Sequence, residues 1–89
     1  MYIREGFLVR KIIDDYIVVP TGDNIVDFAA TISLNESGAF LWNKLQSDCS
    51  EANLVEALLQ EYEGLDEETA KHDVADFVAL LQEHKLLCE

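Results

Sequence analysis

The chain is poor in basic residues. Of its 89 residues, 18 are Asp or Glu and 6 are Lys or Arg, which gives a formal charge of −12. Proteins that bind DNA or RNA need clustered Lys and Arg to displace phosphate counterions, and anionic membranes also attract basic segments. The composition therefore argues against nucleic acids and anionic membranes as partners. It favours a partner that carries basic stretches.

The sequence also lacks targeting segments and has little cysteine. Residues Met1–Gly6 do not form the apolar core of a signal peptide. Apolar runs such as Phe77–Leu81 fall far short of the ~20 residues of a spanning helix. Two cysteines, Cys49 and Cys88, are too few for a disulfide framework and are expected to be free thiols. We predict a cytoplasmic protein that forms one small domain over residues 1–89.

Residue patterns typical of enzymes are missing as well. The four glycines are scattered singly, so no glycine-rich phosphate-binding loop is present. His72 and His84 are 12 residues apart, and no CxxC or HxxxH spacing occurs. A catalytic thiol needs a base and a lowered pKa, and neither cysteine lies in a motif that supplies them. The sequence predicts a protein without catalytic activity, metal or other cofactor.

The first part of the chain has the pattern of β-strands. Phe7–Ile13 and Tyr16–Val19 are rich in branched residues, and Asp14–Asp15 between them is a plausible tight turn. In Val26–Leu34, apolar residues occupy every even position. This period of two predicts a third strand with one face buried and one face small and largely polar.

After the third strand, the apolar period becomes helical. Asn35, Ser50 and Asp66 each precede an amphipathic segment and are predicted N-caps of three helices. Three strands followed by three helices indicate an α+β fold, with a three-stranded antiparallel sheet and a winged helix-turn-helix-like arrangement. The second helix contains no Lys or Arg, which argues against DNA binding by such a fold.

The third predicted strand has the features of an open edge. It contains no Lys, Arg or Pro, the residues that usually protect edge strands from pairing. Its outward side chains Ala29, Thr31 and Ser33 are small. A strand from another chain could therefore add to it. Two alternatives stay open from periodicity alone: the domain's own helix covers the edge, or the edge pairs in a homodimer.

Several segments together resemble one family. Thr31–Trp42 reads TISLNESGAFLW, which resembles the hydrophobic-x-Leu-Asn-x-Thr/Ser signature of the pyrroloquinoline quinone synthesis protein D (PqqD-like) family. Glu56–Tyr62 is similar to the family's second helix, and Asp73–Leu81 to its third. The closing Leu-Leu pair also agrees. Lys85 departs from the pattern, since members often carry glycine there.

The resemblance implies a non-catalytic recognition element for ribosomally made modified peptides. Such proteins bind the leader of a precursor peptide as an added strand between the third strand and the third helix. They present it to a modifying enzyme, typically a radical S-adenosylmethionine maturase that holds its own iron–sulfur chemistry. The competing hypothesis is a structural or interaction module, or a homodimer, that uses the same edge without a peptide client. The peptide-binding residues that the resemblance implies are Asp27, Phe28, Ala29, Ala30, Thr31, Ile32 and Ser33 on the strand, with Ala70, Asp73, Val74 and Phe77 on the helix.

Overall fold

The protein has an α+β fold. The computed structural model describes residues 1–22 and 32–88. A three-stranded antiparallel sheet of order β2-β3-β4 and three helices form its main part, as the sequence predicts. The likeness to a winged helix-turn-helix stays a prediction. The elements are β1 (Tyr2–Ile3), β2 (Phe7–Ile12), β3 (Asp15–Pro20), β4 (Ile32–Leu34), α1 (Glu36–Lys44), α2 (Glu51–Glu61), α3 (Glu67–Glu83) and β5 (Leu87–Cys88).

The hairpin of β2 and β3 turns one residue earlier than predicted. Ile12 pairs with Asp15, so the two-residue loop consists of Ile13 and Asp14. Ile13 has a φ of 55°, a left-handed conformation that hairpin loops usually give to Gly or Asn. The two aspartates suggested a turn at Asp14–Asp15 because Asp tolerates this conformation. That placement was wrong, and the branched Ile13 adopts it instead.

The three predicted N-caps are confirmed. The side chains of Asn35, Ser50 and Asp66 each accept a hydrogen bond from the backbone N–H three positions later, at 2.8, 3.1 and 2.7 Å. The bond from Thr69 lowers the pKa of Asp66 below its usual value, because it favours the charged carboxylate. Each bond satisfies a donor that the first turn of a helix would otherwise leave unpaired.

One hydrophobic core joins the sheet and the helices. Ile32 and Leu34 of β4 point inward together with Val18 of β3, and Trp42 of α1 is 2% exposed. The apolar faces of α2 and α3 complete the core. The fully buried residues with no exposed surface are Leu45, Leu54, Leu58, Ala70, Val74, Leu81 and Leu86.

A second, two-stranded sheet joins the two ends of the described chain, and the sequence did not predict it. Strands β1 and β5 are antiparallel, with Ile3 opposite Leu87. The N–H of Ile3 also donates to the carbonyl of Leu45, at 2.9 Å. Leu86, predicted to pack back on the domain as part of an apolar tail, is fully buried. The chain start is therefore held against both α1 and the segment after α3.

Helix α3 ends in a Schellman motif that contains lysine where glycine is usual. Lys85 has a φ of 58°. The N–H of Leu86 donates to the carbonyl of Leu81 at 2.8 Å, and the N–H of Lys85 donates to the carbonyl of Gln82 at 3.1 Å. These two bonds define the motif. The turn therefore forms despite the departure from the family pattern at Lys85. A residue with a Cβ is sterically disfavoured in this left-handed conformation.

We expect Lys85→Gly to raise the free energy of unfolding by about 0.5–1 kcal/mol, because glycine adopts a positive φ without steric penalty. Denaturant unfolding measures the change. Lys85→Ala is the matched control, since it removes the same charge and retains a Cβ. If Lys85→Ala raises the free energy of unfolding by the same amount, the effect comes from removal of the charge, and the backbone explanation is wrong.

Candidate functional site

Strand β4 forms one edge of the three-stranded sheet. It pairs with β3 on one side, and within residues 1–22 and 32–88 no strand pairs with its other side. Ile32 and Leu34 are buried, while Ser33 between them is exposed. The edge is therefore available for pairing along the described part of the strand.

The hairpin determines which backbone groups of β3 face β4. Ile12 and Asp15 close a two-residue loop, and such a closing pair exchanges both of its N–H···O=C bonds. Hydrogen-bonded and non-hydrogen-bonded pairs then alternate along the ladder. Asp15 and every second residue after it direct their backbone groups toward β2. Tyr16 and Val18 consequently direct theirs toward β4.

The same alternation fixes the direction of the backbone groups on β4. Tyr16 lies opposite Leu34, and Val18 lies opposite Ile32, so these are the hydrogen-bonded pairs between the two strands. Ser33 falls between them. Its N–H and C=O therefore point away from β3, toward the open edge. These are the groups that an added strand would use.

A cavity of about 300 Å³ lies beside this edge, between β4, the start of α1 and helix α3. We call it the strand–helix groove. Its α3 wall combines two carboxylates with apolar side chains at helical spacing. The groove can thus offer both polar contacts and apolar surface to a bound chain. Its lining residues are Ser33, Leu34, Asn35, Ser37, Gly38, Leu41, Asp73, Asp76, Phe77 and Leu80.

Gly38 allows α1 to begin close to the end of β4. A Cβ at this position would lie 3.1 Å from Oδ1 of Asn35 and 3.2 Å from Cβ of Leu34. Both neighbours are fixed, since Asn35 caps the helix and Leu34 is buried. A larger residue would separate strand and helix and thereby change the shape of the groove.

The carboxylates of the groove are exposed. Asp73 and Asp76 lie one helical turn apart on α3. Oδ2 of Asp76 is 3.2 Å from Nδ1 of His72, and both side chains are largely exposed. Within the part of the chain that the structure describes, no group of three His, Cys, Asp or Glu residues is arranged to hold a metal ion. Cys49 and Cys88 are free thiols.

Comparison with protein families matches residues 23–87 to coenzyme PQQ synthesis protein D (PqqD). The matched region includes β4, the three helices and the first residue of β5. The chain belongs to the PqqD family. No curated protein sequence matches it. Among the described residues, no helix is long and apolar enough to cross a membrane.

Two solved structures share the fold of this PqqD-family chain. One is TbiB1 in complex with the TbiA(beta) leader peptide, with 23% sequence identity and a TM-score of 0.74 over 98% of this chain and 94% of that one. The other is lasso peptide synthetase B1 complexed with a leader peptide, with 22% identity and a TM-score of 0.70 over 98% and 95%.

The structure separates the predicted site residues of this PqqD-family chain into three groups. Ser33, Asp73 and Phe77 line the strand–helix groove. Ile32, Ala70 and Val74 are core residues, and the last two have no exposed surface. Their role in peptide binding stays a prediction. The others, Asp27, Phe28, Ala29, Ala30 and Thr31, lie outside the described residues.

Sequence reasoning missed several residues of the groove. Asp76 and Leu80 follow Asp73 at intervals of three and seven, which places all three on one side of α3. This spacing was a usable signal. Ser37 and Gly38 carried a weaker signal, because the close approach of α1 to β4 depends on the fold. The predicted α3 residues instead came from the family resemblance, and two of them, Ala70 and Val74, face the core.

Proposed function

We propose that this chain is a non-catalytic peptide-binding protein that holds the leader of a ribosomally made precursor peptide. The leader pairs with the open edge of β4 and lies in the strand–helix groove. The observation that carries this proposal is the direction of the Ser33 backbone groups, which point away from β3 beside that groove.

The chemistry of the groove suits an added strand. Pairing of backbone groups supplies affinity without dependence on sequence, and side-chain pockets beside the strand supply specificity. Alternate side chains of an added strand would face α3, where Phe77 and Leu80 offer apolar surface beside the Asp73 carboxylate. The two solved structures of the same fold that are complexed with leader peptides support this interpretation.

The proposal extends to the protein's partners. The bound leader would be presented to a modifying enzyme, for which the family resemblance favours a radical S-adenosylmethionine maturase. The chemistry that modifies the precursor peptide would belong to that enzyme. The chain would act as a single cytoplasmic domain. Its charge of −12 would speed the encounter with a basic peptide or with a basic patch on the enzyme.

Selection from displayed random-sequence peptides tests the proposal directly. The purified protein should enrich a peptide, called here the selected peptide, whose binding is then measured by fluorescence anisotropy. Leu80→Arg is the blocked control, since it places a long side chain in the groove at a half-buried position. If the blocked variant enriches the same peptides with equal affinity, the groove is not the binding site.

The same open edge would also serve a second copy of the chain, which is the competing hypothesis. Sedimentation of the purified protein distinguishes the two functions. We expect a monomer that binds the selected peptide. A tight dimer that excludes the peptide, and that separates when the edge of β4 is blocked, would favour the competitor.

Val74 and Leu80 offer a test of which α3 residues contact the peptide. We expect Val74→Ala to lower the free energy of unfolding by about 1–3 kcal/mol and to leave the dissociation constant of the selected peptide unchanged, because Val74 is fully buried. Leu80→Ala should cost less stability and weaken binding about fivefold. Denaturant unfolding and anisotropy measure both effects. Weaker binding by a fully folded Val74→Ala variant would show that Val74 contributes to peptide binding.

A further inference from the structure

A second cavity of about 480 Å³ continues from the strand–helix groove. We call it the helix pocket. It lies between the start of α1, the end of α2 and helix α3. Asn35, Ser37 and Asp73 line both cavities, so the two share a boundary near the Leu34 end of β4. A peptide strand that pairs with β4 and continues past Leu34 would meet this pocket next.

The base of the helix pocket is apolar. Leu58 is fully buried, and Tyr62 and Leu65 are half-buried beside it. The ring of Tyr62 lies edge-on to that of Phe40, with centroids 6.0 Å apart and an interplanar angle of 84°. This contact holds Tyr62 as a wall of the pocket. The base therefore suits an apolar side chain.

The rim of the helix pocket is negatively charged. Glu36, Glu63 and Asp73 line it, and no Lys, Arg or His is among the lining residues that the structure describes. Burial raises the pKa of Tyr62, and the nearby carboxylates of Glu36 and Glu61 raise it further. The phenol of Tyr62 thus experiences the negative potential of the rim. A ligand with a positive charge above its apolar part would match both features.

Building on the proposed function, we propose that the helix pocket is a second subsite for the same leader. It takes an apolar side chain against Leu58 and Tyr62, and it places a neighbouring Lys or Arg of the leader beside the carboxylates of Glu36 and Glu63. An uncharged or acidic segment would leave these carboxylates without a partner or would add repulsion. The leader should therefore carry a basic residue at a fixed distance from its strand-pairing segment.

The test uses the displayed-peptide selection with two double variants of equal charge. Glu36→Gln/Glu63→Gln, called here the rim variant, removes two of the three rim carboxylates and leaves Asp73. Glu56→Gln/Glu83→Gln is the matched control, because these two glutamates line neither cavity. We expect peptides selected on the unmodified protein to share a Lys or Arg. The selected peptide should bind the rim variant about tenfold more weakly and the control variant with nearly unchanged affinity.

A variant of the selected peptide completes a double-mutant cycle with the rim variant. Changing the shared basic residue of the selected peptide to Gln should cause a similar loss on the unmodified protein and little further loss on the rim variant. Selected peptides that require the β4 edge, lack a basic residue and bind the rim variant with unchanged affinity would overturn the second subsite and leave the proposed function intact. Failure to select any peptide that requires the β4 edge would overturn both.

Discussion

Replacing Ser33 with proline is expected to weaken binding of the selected peptide by about tenfold or more, because one hydrogen bond is lost and the ring obstructs the approaching strand. The fold should persist. The Ser33 N–H points away from β3, so the substitution removes no bond of the sheet. Proline is tolerated on edge strands at positions of this kind. Anisotropy measures the affinity, and denaturant unfolding verifies the fold.

Two further substitutions separate the backbone effect from others. Ser33→Ala retains the N–H and removes only the exposed hydroxyl, so binding should be nearly unchanged. Ile32→Pro removes an N–H that bonds to β3 and disrupts a buried position, so it should destabilise the fold itself. If the folded Ser33→Pro variant binds the selected peptide as tightly as the unmodified protein, strand addition at β4 is wrong.

Trp42→Ala is expected to have the largest effect on stability. It should lower the free energy of unfolding by about 3–5 kcal/mol. Domains of this kind are stable by only about 5–15 kcal/mol, so the variant should lose a large fraction of its stability. Trp42 is 2% exposed and belongs to the core that joins the helices to the sheet. The cavity left by the indole would lie where α1 meets the rest of the core. Denaturant and thermal unfolding measure the loss.

Trp42→Phe is the matched control for this prediction. It retains an aromatic ring and should cost clearly less than the alanine variant, because less volume is removed. Tyr2→Ala serves as a surface comparison, since Tyr2 is 42% exposed. A loss below about 1 kcal/mol for Trp42→Ala would mean that Trp42 is not a core residue, because deletion of a buried aromatic side chain costs several times more.

Local signals predicted most of the fold. The three N-caps depend on short side chains that bond to a backbone N–H three residues later, and this chemistry is readable from neighbouring residues. The buried and exposed alternation of β4 also follows from the period of its sequence. Both kinds of signal act over a few residues, so no knowledge of distant contacts was needed.

Features that depend on distant contacts escaped the sequence analysis. Strands β1 and β5 contain two residues each, and their pairing requires that the two ends of the chain meet. The left-handed conformations of Ile13 and Lys85 contradict their local preferences, and the surrounding hairpin and Schellman motif impose them. In each case tertiary structure overrides a local preference.

The residues that line the candidate groove were predicted in part. The family resemblance brought Ser33, Asp73 and Phe77 into the proposed site, and all three line the groove. It also brought in Ala70 and Val74, which face the core. Helical spacing alone could not separate these two sets, because the boundary between core and groove depends on where β4 lies against α3. The outward direction of the Ser33 backbone follows only from the register of the three strands.

Amide hydrogen exchange of β4, measured by NMR with and without the selected peptide, tests strand addition most directly. The N–H groups of Ile32 and Leu34 already bond to β3, so their protection should be present before the peptide is added. The N–H of Ser33 should exchange rapidly in the free protein and become protected in the complex. Bound peptide with unchanged exchange at Ser33 would contradict the proposed mode of binding.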